Sequence, residues 1–152
     1  MEFFKIIGGF RNIFLIRELF CNDFSNLLKA LKTKKNTNFI FTKANADPGG
    51  QVINDMIDKF VKQNKNNAFS YTSLGRITYL SLLKFAQGVI GNSSSGVVEA
   101  PSFGIGTINI GDRQKGRVMP KSVICCKPDY KSIIAAMRIL YSKNRYMNFD
   151  NQ

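Results

Sequence analysis

The sequence predicts a Rossmann-like α/β fold, in which a doubly wound, mostly parallel sheet is flanked by helices. Short β-rich runs alternate with segments of helical hydrophobic spacing from residue 38 onward. This alternation is typical of βαβ units, which build a parallel sheet. Several of the runs end in loops rich in glycine, serine or charged residues, as expected at the ligand-binding edge of such a sheet. The chain has 152 residues, of which 44% are hydrophobic, so one domain core is expected.

The N-terminal segment shows apolar residues at helical spacing and no clear opening strand. These residues are Phe10, Ile13, Phe14, Ile16, Leu19, Phe20, Leu27, Leu28 and Leu31. The spacing predicts one or two helices in this segment. We therefore expect residues 1–24 to form a helical lead-in and residues 25–152 to form the α/β domain.

The elements that follow are predicted in strand and helix order. NFIFT at residues 38–42 is a strand, and ANADPGG after it is a loop. Residues 51–63 form an amphipathic helix, and AFSYT at residues 68–72 is the next strand. A helix behind that strand is predicted by the spacing of Leu74, Ile77, Leu80 and Phe85.

The C-terminal part of the chain predicts three more strands and a closing helix. The strands are GVIG at residues 88–91, TINIG at 107–111 and SVICC at 122–126. Asp129 is the expected N-cap of the closing helix. The apolar face of this helix is predicted at Ile133, Ile134, Met137, Leu140 and Tyr141.

The composition narrows the classes of function. The chain carries no histidine, which removes the commonest general base and the commonest zinc ligand, and we predict neither a metal site nor a cofactor. The net charge of +12 indicates an anionic partner. No aromatic residues interleave with the lysine runs as a stacking platform for nucleic acid requires. We therefore expect a phosphorylated small molecule and no nucleic acid.

Three features predict a cytoplasmic protein without membrane contact. No stretch reaches the roughly 20 apolar residues that cross a bilayer, and Glu2 and the arginines near the N-terminus do not fit a signal peptide. The three cysteines include the neighbours Cys125 and Cys126, which make a poor disulfide framework. We expect both neighbours to be buried in a strand.

The serine loop, GNSSSG at residues 91–96, follows a predicted strand. Its glycines have P-loop spacing, but Val97 and Val98 stand where a P-loop has Lys and Ser or Thr, and no GxGxxG fingerprint is present. A helix that begins near Gly96 would direct free backbone N–H groups at an anion over the sheet, and the hydroxyls of Ser93, Ser94 and Ser95 would add donors. The alternative is a serine-rich turn that only caps a helix.

Charged residues near the serine loop extend the same prediction. Glu99 is expected in the first helical turn, where it either complements the helix dipole or accepts hydrogen bonds from ribose hydroxyls. Arg113, in the loop GDRQKGR at residues 111–117, either binds phosphate oxygens or belongs to a basic turn paired with Asp112. The loops 43–50, 91–96 and 111–117 are expected together at the carboxyl ends of the strands.

The run GNSSSGVVEAPSFGIGTINIGDRQKGR resembles the signature of the hydrolysing UDP-N-acetylglucosamine 2-epimerases, which open sialic acid and legionaminic acid biosynthesis. FTKANADPGG at residues 41–50 resembles a second segment of that family, and the resemblance covers roughly residues 25–150. The non-hydrolysing epimerases carry a more acidic loop at this place. The resemblance implies the C-terminal, nucleotide-binding half of a GT-B-type enzyme with two Rossmann-like domains.

The resemblance also implies a role for each candidate residue. Ser93 and Ser94 would contact the diphosphate, with Gly96 allowing close approach, Glu99 would bind the ribose, and Arg113 would bind the nucleotide. Ser95 is expected among the UDP-binding residues. In the family, elimination of UDP gives a 2-acetamidoglucal, and addition of water then gives N-acetylmannosamine. The catalytic carboxylates are expected in an N-terminal domain, and a histidine is expected just before the C-terminal domain. We therefore expect this chain, which has no histidine, to be a fragment with no catalytic residues of its own.

Three other interpretations stay open at this point. The chain could be a non-catalytic domain that pairs with a separately encoded N-terminal half, or it could form a homodimer. It could instead be a glycosyltransferase-like nucleotide-sugar binder, which predicts transfer of the sugar to an acceptor. Nucleic-acid binding through the +12 charge would weaken steeply with salt and would not compete with UDP.

Overall fold

The sheet has six parallel strands in the order β3-β2-β1-β4-β5-β6. The computed structural model describes residues 12–17, 24–44 and 48–146. The strands are β1 (Ile13–Arg17), β2 (Asn38–Thr42), β3 (Ala68–Tyr71), β4 (Ala86–Gly91), β5 (Gly106–Ile110) and β6 (Val123–Cys126). The strand order reverses direction next to β1, which places a topological switch point between β1 and β4.

Helices cover both faces of the sheet. They are α1 (Phe24–Lys32), α2 (Pro48–Gln63), α3 (Gly75–Leu83), α4 (Ser94–Val98) and α5 (Tyr130–Tyr146), and a 3₁₀ turn spans Ala100–Phe103. The Rossmann-like fold class predicted from the sequence is therefore confirmed. Helix α2 already begins at Pro48, so the last residues of the predicted loop are its first turn.

Alternating side chains of the strands build two hydrophobic clusters, one on each face. Phe14, Ile16 and Phe41 share one cluster with α1, α2 and α5. Ile13 and Leu15 share the other with α3 and the 3₁₀ turn. This period of two is the side-chain alternation of a strand that is buried on both faces.

The helical lead-in is wrong for residues 13–17, because these residues form β1 in the middle of the sheet. Four consecutive apolar residues, Ile13–Ile16, satisfy helical spacing as well as a buried strand, and pairing with β2 and β4 decides between the two. The second helix expected in this segment is present as α1. Residues 1–11 and 18–23 of the predicted lead-in lie outside the described residues.

Cys125 and Cys126 lie in β6, as predicted, but neither is fully buried. Cys125 is exposed and Cys126 is half-buried, because β6 lies at the edge of the sheet. Burial, with smaller effects of Asp129 and Cys125, raises the pKa of the Cys126 thiol to about 12. This thiol is therefore protonated near neutral pH, as a structural cysteine should be. No helix in the described part of the chain is long and apolar enough to cross a membrane.

Candidate functional site

A cavity of about 400 Å³ opens at the carboxyl ends of β1, β2 and β3, beside the switch point. Its walls also include residues of α3 and of the segment that follows β4. The lining residues are Arg17, Thr42, Lys43, Thr72, Ser73, Leu74, Gly75, Arg76, Tyr79, Ser95 and Glu99. We call this space the switch-point cavity; ligands of open α/β sheets bind at this place.

The charge balance of the switch-point cavity favours an anion. Among the residues that the structure describes, three cationic side chains, Arg17, Lys43 and Arg76, line it together with one carboxylate, Glu99. The Lys43 ammonium lies 2.9 Å from the Asp58 carboxylate, so part of its charge is already balanced. Arg17 is the last residue of β1 and reaches the cavity from the centre of the sheet.

The close approach of β1 and β4 depends on Gly91. These two strands pair in parallel, with Arg17 opposite Gly91 at their carboxyl ends. A Cβ atom on Gly91 would lie 1.7 Å from the backbone oxygen of Arg17, so no other residue fits this position. Gly91 therefore allows the strands to meet at the switch point.

The serine loop leads into α4, which begins at Ser94, two residues earlier than predicted. Ser93 is the N-cap, and its Oγ accepts a hydrogen bond from the Ser95 N–H at 3.3 Å. The capping role that we weighed as the alternative is thus present at Ser93. Ser94 is exposed, whereas Ser95 is buried and lines the switch-point cavity.

Ser95, Tyr79 and Arg17 form a connected group in the cavity wall. The Ser95 hydroxyl donates a hydrogen bond to the phenol oxygen of Tyr79. The guanidinium carbon of Arg17 lies 4.1 Å from the centre of the Tyr79 ring, in cation–π contact. Burial raises the pKa of Tyr79, although the Ser95 hydrogen bond and the Arg17 charge act against it. The phenol is therefore neutral near neutral pH.

Gly96 is buried against β5. Its carbonyl accepts a hydrogen bond from Thr107 Oγ1 at 2.7 Å, and a Cβ atom on it would lie 2.8 Å from Thr107 Cγ2. The contact that requires a glycine here is therefore the packing of α4 on the sheet. Close approach of Gly96 to a ligand stays a prediction.

Glu99 is half-buried and lines the switch-point cavity, but it does not lie in a first helical turn. Because α4 begins at Ser94, Glu99 is its C-cap and its N–H bonds to the Ser95 carbonyl at 2.9 Å. Glu99 is also the N-cap of the 3₁₀ turn Ala100–Phe103, but its side chain makes no cap hydrogen bond there. Both alternatives for Glu99, the dipole partner and the acceptor of ribose hydrogen bonds, therefore stay predictions.

Arg113 is exposed and lies beside the serine loop, outside the lining of the switch-point cavity. One of its terminal nitrogens lies 3.4 Å from the Asn92 side-chain oxygen. The buried Gln114 side chain donates to the Asn92 carbonyl at 2.8 Å. The structure thus brings the loop at residues 111–117 to the serine loop, as predicted, through Asn92.

Of the described residues that line the cavity, sequence reasoning named Ser95 and Glu99 as site residues and missed the others, including Arg17, Arg76 and Tyr79. Lys43 lies in the loop at residues 43–50, which was expected at this edge of the sheet. Arg17 directly follows an apolar run, as a cationic residue at the carboxyl end of a buried strand would. The signal was missed because the spacing of this run predicts a helix.

Tyr79 and Arg76 were missed because neither residue belongs to the apolar face that the spacing predicts for α3. That face is wrong at Ile77 and Phe85, which are exposed, whereas Leu74 and Leu80 are partly buried against the cluster of Ile13 and Leu15. The buried side chains of α3 are Tyr79, Leu82 and Leu83.

Comparison with known proteins identifies the family. A family model described as UDP-N-acetylglucosamine 2-epimerase matches residues 17–152. This chain belongs to the UDP-N-acetylglucosamine 2-epimerase family. The match begins at the last residue of β1, within the segment that we expected to lie outside the resemblance.

Two curated relatives of this epimerase-family chain carry more specific names. A Campylobacter jejuni protein named GDP/UDP-N,N'-diacetylbacillosamine 2-epimerase (hydrolyzing) is 48% identical over 102 residues, which are 67% of this chain and 27% of that protein. The Escherichia coli polysialic acid biosynthesis protein P7 is 42% identical over 120 residues, which are 78% of this chain and 30% of that protein. The matched part of this chain thus spans less than a third of the length of either relative.

Solved structures agree with the fold of this epimerase-family chain. UDP-GlcNAc 2-epimerase from Neisseria meningitidis, bound to UDP-GlcNAc, superposes with a TM-score of 0.74 and 17% identity, over 99% of this chain and 42% of that chain. An Escherichia coli heptosyltransferase with ADP superposes with a TM-score of 0.58 and 9% identity, over 90% of this chain and 45% of that chain. These likenesses support the GT-B-type fold that the resemblance implied.

Proposed function

We propose that this chain binds the UDP part of UDP-N-acetylglucosamine as the nucleotide-binding half of a hydrolysing UDP-N-acetylglucosamine 2-epimerase. The observation that carries the proposal is the switch-point cavity, where Arg17 and Glu99 meet the serine loop. A cation with hydroxyl and amide donors suits a diphosphate, and a nearby carboxylate suits ribose hydroxyls. The name of the Campylobacter relative, which includes both GDP and UDP, agrees with a nucleotide-sugar ligand.

The proposed residue roles follow the arrangement of the site. Ser93 and Ser94 lie at the start of α4 and are assigned to the diphosphate, and Ser95, whose hydroxyl donates to Tyr79, is assigned to the UDP site. Glu99 is assigned to the ribose, because a carboxylate that accepts two hydroxyl hydrogens makes charge-assisted hydrogen bonds. Arg113 is assigned to the nucleotide from outside the cavity wall, through the loop that Asn92 holds in place.

The proposed reaction converts UDP-N-acetylglucosamine to N-acetylmannosamine and UDP, for sialic or legionaminic acid biosynthesis. Elimination of UDP breaks the bond between the sugar and the phosphate, and water then adds to the 2-acetamidoglucal. Both steps need groups that move protons, and this chain has no histidine. We assign those steps to carboxylates of an N-terminal domain and nucleotide binding to this chain, which we place in the cytoplasm.

The test is calorimetric titration of the purified chain with UDP. We expect saturable binding, and we expect Glu99→Ala and Arg113→Ala each to weaken it by about 1 kcal/mol or more, as lost charge-assisted hydrogen bonds should. Asp55→Ala and Arg138→Ala are matched controls, because both side chains are exposed on helices outside the cavity lining. A folded chain that does not bind UDP would contradict the proposal.

A second test addresses the partner. Co-expression with the N-terminal half of a related epimerase should restore release of N-acetylmannosamine, which the chain alone should not produce. Substantial turnover by the chain alone would show that its own residues perform the proton transfers. A homodimer would be seen as twice the chain mass in solution.

A glycosyltransferase-like donor domain is the alternative, because the fold is also similar to a heptosyltransferase with ADP. The TM-score for that structure is 0.58, against 0.74 for the epimerase bound to UDP-GlcNAc. The two functions differ in their products. A transferase passes the sugar to an acceptor, whereas the proposed enzyme releases free N-acetylmannosamine.

A further inference from the structure

We propose that Tyr79 is a positioning residue, which holds Arg17 and Ser95 together across the switch point so that the guanidinium meets the anionic part of the ligand. This inference rests on the proposed function, because it assigns to Arg17 the phosphate groups of the nucleotide. It adds Tyr79 and Arg17 to the residues that the sequence placed at the site.

The first support is the place of Tyr79 between three elements. Its backbone belongs to α3, its ring lies under the guanidinium at the end of β1, and its hydroxyl accepts the hydrogen of Ser95 in α4. The side chain is 4% exposed and belongs to the hydrophobic cluster of Ile13 and Leu15. Tyr79 is therefore a fixed platform, whereas an arginine side chain without contacts would sample many rotamers.

The second support is a donor without an acceptor. The Nε of Arg17 is buried and has no hydrogen-bond partner among the residues that the structure describes. A guanidinium has five N–H donors in a planar fork, and a buried donor that stays unpaired is costly. Because Arg17 lines the switch-point cavity, an anion bound there would supply the missing acceptor.

The third support is that the three cations of the cavity wall have different partners. Lys43 is paired with Asp58 and Arg76 is exposed, so Arg17 is the cation with both a fixed platform and an unmatched donor. The Ser95 hydroxyl is engaged with Tyr79, which fixes the start of α4 relative to Arg17. One aromatic side chain thereby sets the distance between the cation and the serine loop.

Tyr141 provides a matched comparison within the same chain. Its hydroxyl lies 3.0 Å from Thr37 Oγ1, and the Lys34 ammonium lies 4.6 Å from the centre of its ring. Tyr141 thus has the same kind of partners as Tyr79, a hydroxyl and a cation. Tyr141 belongs to α5 and contacts Thr37, the residue before β2. It does not line the switch-point cavity.

The experiment titrates the full chain with inorganic pyrophosphate and with UDP. We expect Tyr79→Leu to weaken both ligands by about tenfold, because it removes the platform of Arg17, and Tyr79→Phe, which keeps the ring, to weaken them by only about twofold to threefold. In an Arg17→Met background, Tyr79→Leu should cause little further loss. Tyr141→Leu should lower stability without changing either affinity.

Each outcome separates this inference from the proposed function. If UDP binds and the folded Tyr79 variants bind it as the wild type does, the positioning role is overturned and the proposed function stands. If the wild type binds pyrophosphate but not UDP, and Tyr79→Leu weakens pyrophosphate binding, the positioning role stands and the nucleotide assignment fails. If the wild type binds neither, both are overturned. If Tyr79→Leu does not fold, the cycle of Tyr79→Phe with Arg17→Met decides, and additive losses would overturn the inference.

Discussion

At the scale of single residues, Gly96 and Glu99 occupy the same short segment for different physical reasons. Gly96 has no side chain because Thr107 of β5 occupies the space that a Cβ atom would need. Glu99 lies between the end of α4 and the start of the 3₁₀ turn, makes no cap hydrogen bond through its side chain, and lines the switch-point cavity. Gly96 is therefore explained by packing, whereas ribose binding by Glu99 stays a proposal.

Gly96→Ala should destabilise the fold by about 1–3 kcal/mol, because the added methyl overlaps the Thr107 methyl. Thr107→Ser removes that methyl and keeps the hydroxyl that donates to the Gly96 carbonyl, so the loss should be smaller in this background. Urea unfolding of the four proteins in the double-mutant cycle measures the coupling.

Ser94→Ala is the control for this cycle, since the side chain is exposed in the same helix and should change stability by less than about 0.5 kcal/mol. Equal losses from Gly96→Ala in both backgrounds would show that Thr107 is not the cause.

At the scale of elements, the N-terminus of the closing helix is set by residues close together in the sequence. Asp129 precedes α5, and its carboxylate accepts hydrogen bonds from the Ser132 N–H at 2.8 Å and the Ser132 hydroxyl at 2.9 Å. Both groups lie within one turn, so the sequence alone predicted the N-cap correctly. The buried face at Ile133, Met137 and Leu140 was also predicted correctly.

The Asp129 cap should make stability depend on pH. The Ser132 hydrogen bonds, the backbone one first, lower the pKa of Asp129 below its ordinary value. The carboxylate is therefore stabilising above the ordinary aspartate pKa, and this contribution is lost as the pH falls through the lowered pKa. The stability advantage of the wild type over Asp129→Ala, from urea midpoints at several pH values, should shrink on acidification.

Asp129→Asn is the matched control, because asparagine caps helices about as well as aspartate and carries no charge. Its advantage over Asp129→Ala should not change with pH. A wild-type advantage that is equally constant would show that the charge of Asp129 does not contribute.

Helix α3 shows the limit of prediction at this scale. The spacing of Leu74, Ile77 and Leu80 predicted a helix correctly, but the buried face includes Tyr79 and Leu82 instead of Ile77. This helix has apolar residues on several sides, so spacing alone cannot select the side that meets the sheet. The choice depends on packing against β1 and β4, which is a property of the whole sheet.

At the scale of the whole molecule, β1 connects the two halves of the sheet. It pairs with β2 on one side and with β4 on the other, and Leu15 lies opposite both Ile40 and Val89. Without β1, both neighbours would expose unpaired edges and apolar side chains. The sheet therefore includes residues N-terminal to residue 25, where the sequence pattern placed the domain boundary.

A chain that begins at residue 25 should fail to fold, because it lacks the central strand. We expect it to show no cooperative thermal unfolding by circular dichroism, in contrast to the full chain. Leu15→Asp in the full chain is the companion variant, because it places an unpaired charge at a buried position of β1 without shortening the protein. A shortened chain that folds and unfolds cooperatively would contradict this account of β1.

The sequence by itself determined the α/β class, the alternating elements after residue 37, the serine loop and the family. These features depend on hydrophobic period, capping residues and a contiguous motif, all of which are local in the chain. Only the tertiary structure decided that residues 13–17 form the central strand and that Arg17, Tyr79, Ser95 and Glu99 line one cavity. The physical reason is that strand pairing and the crossing of the chain at the switch point join residues that are far apart in the sequence, and no local pattern records these contacts.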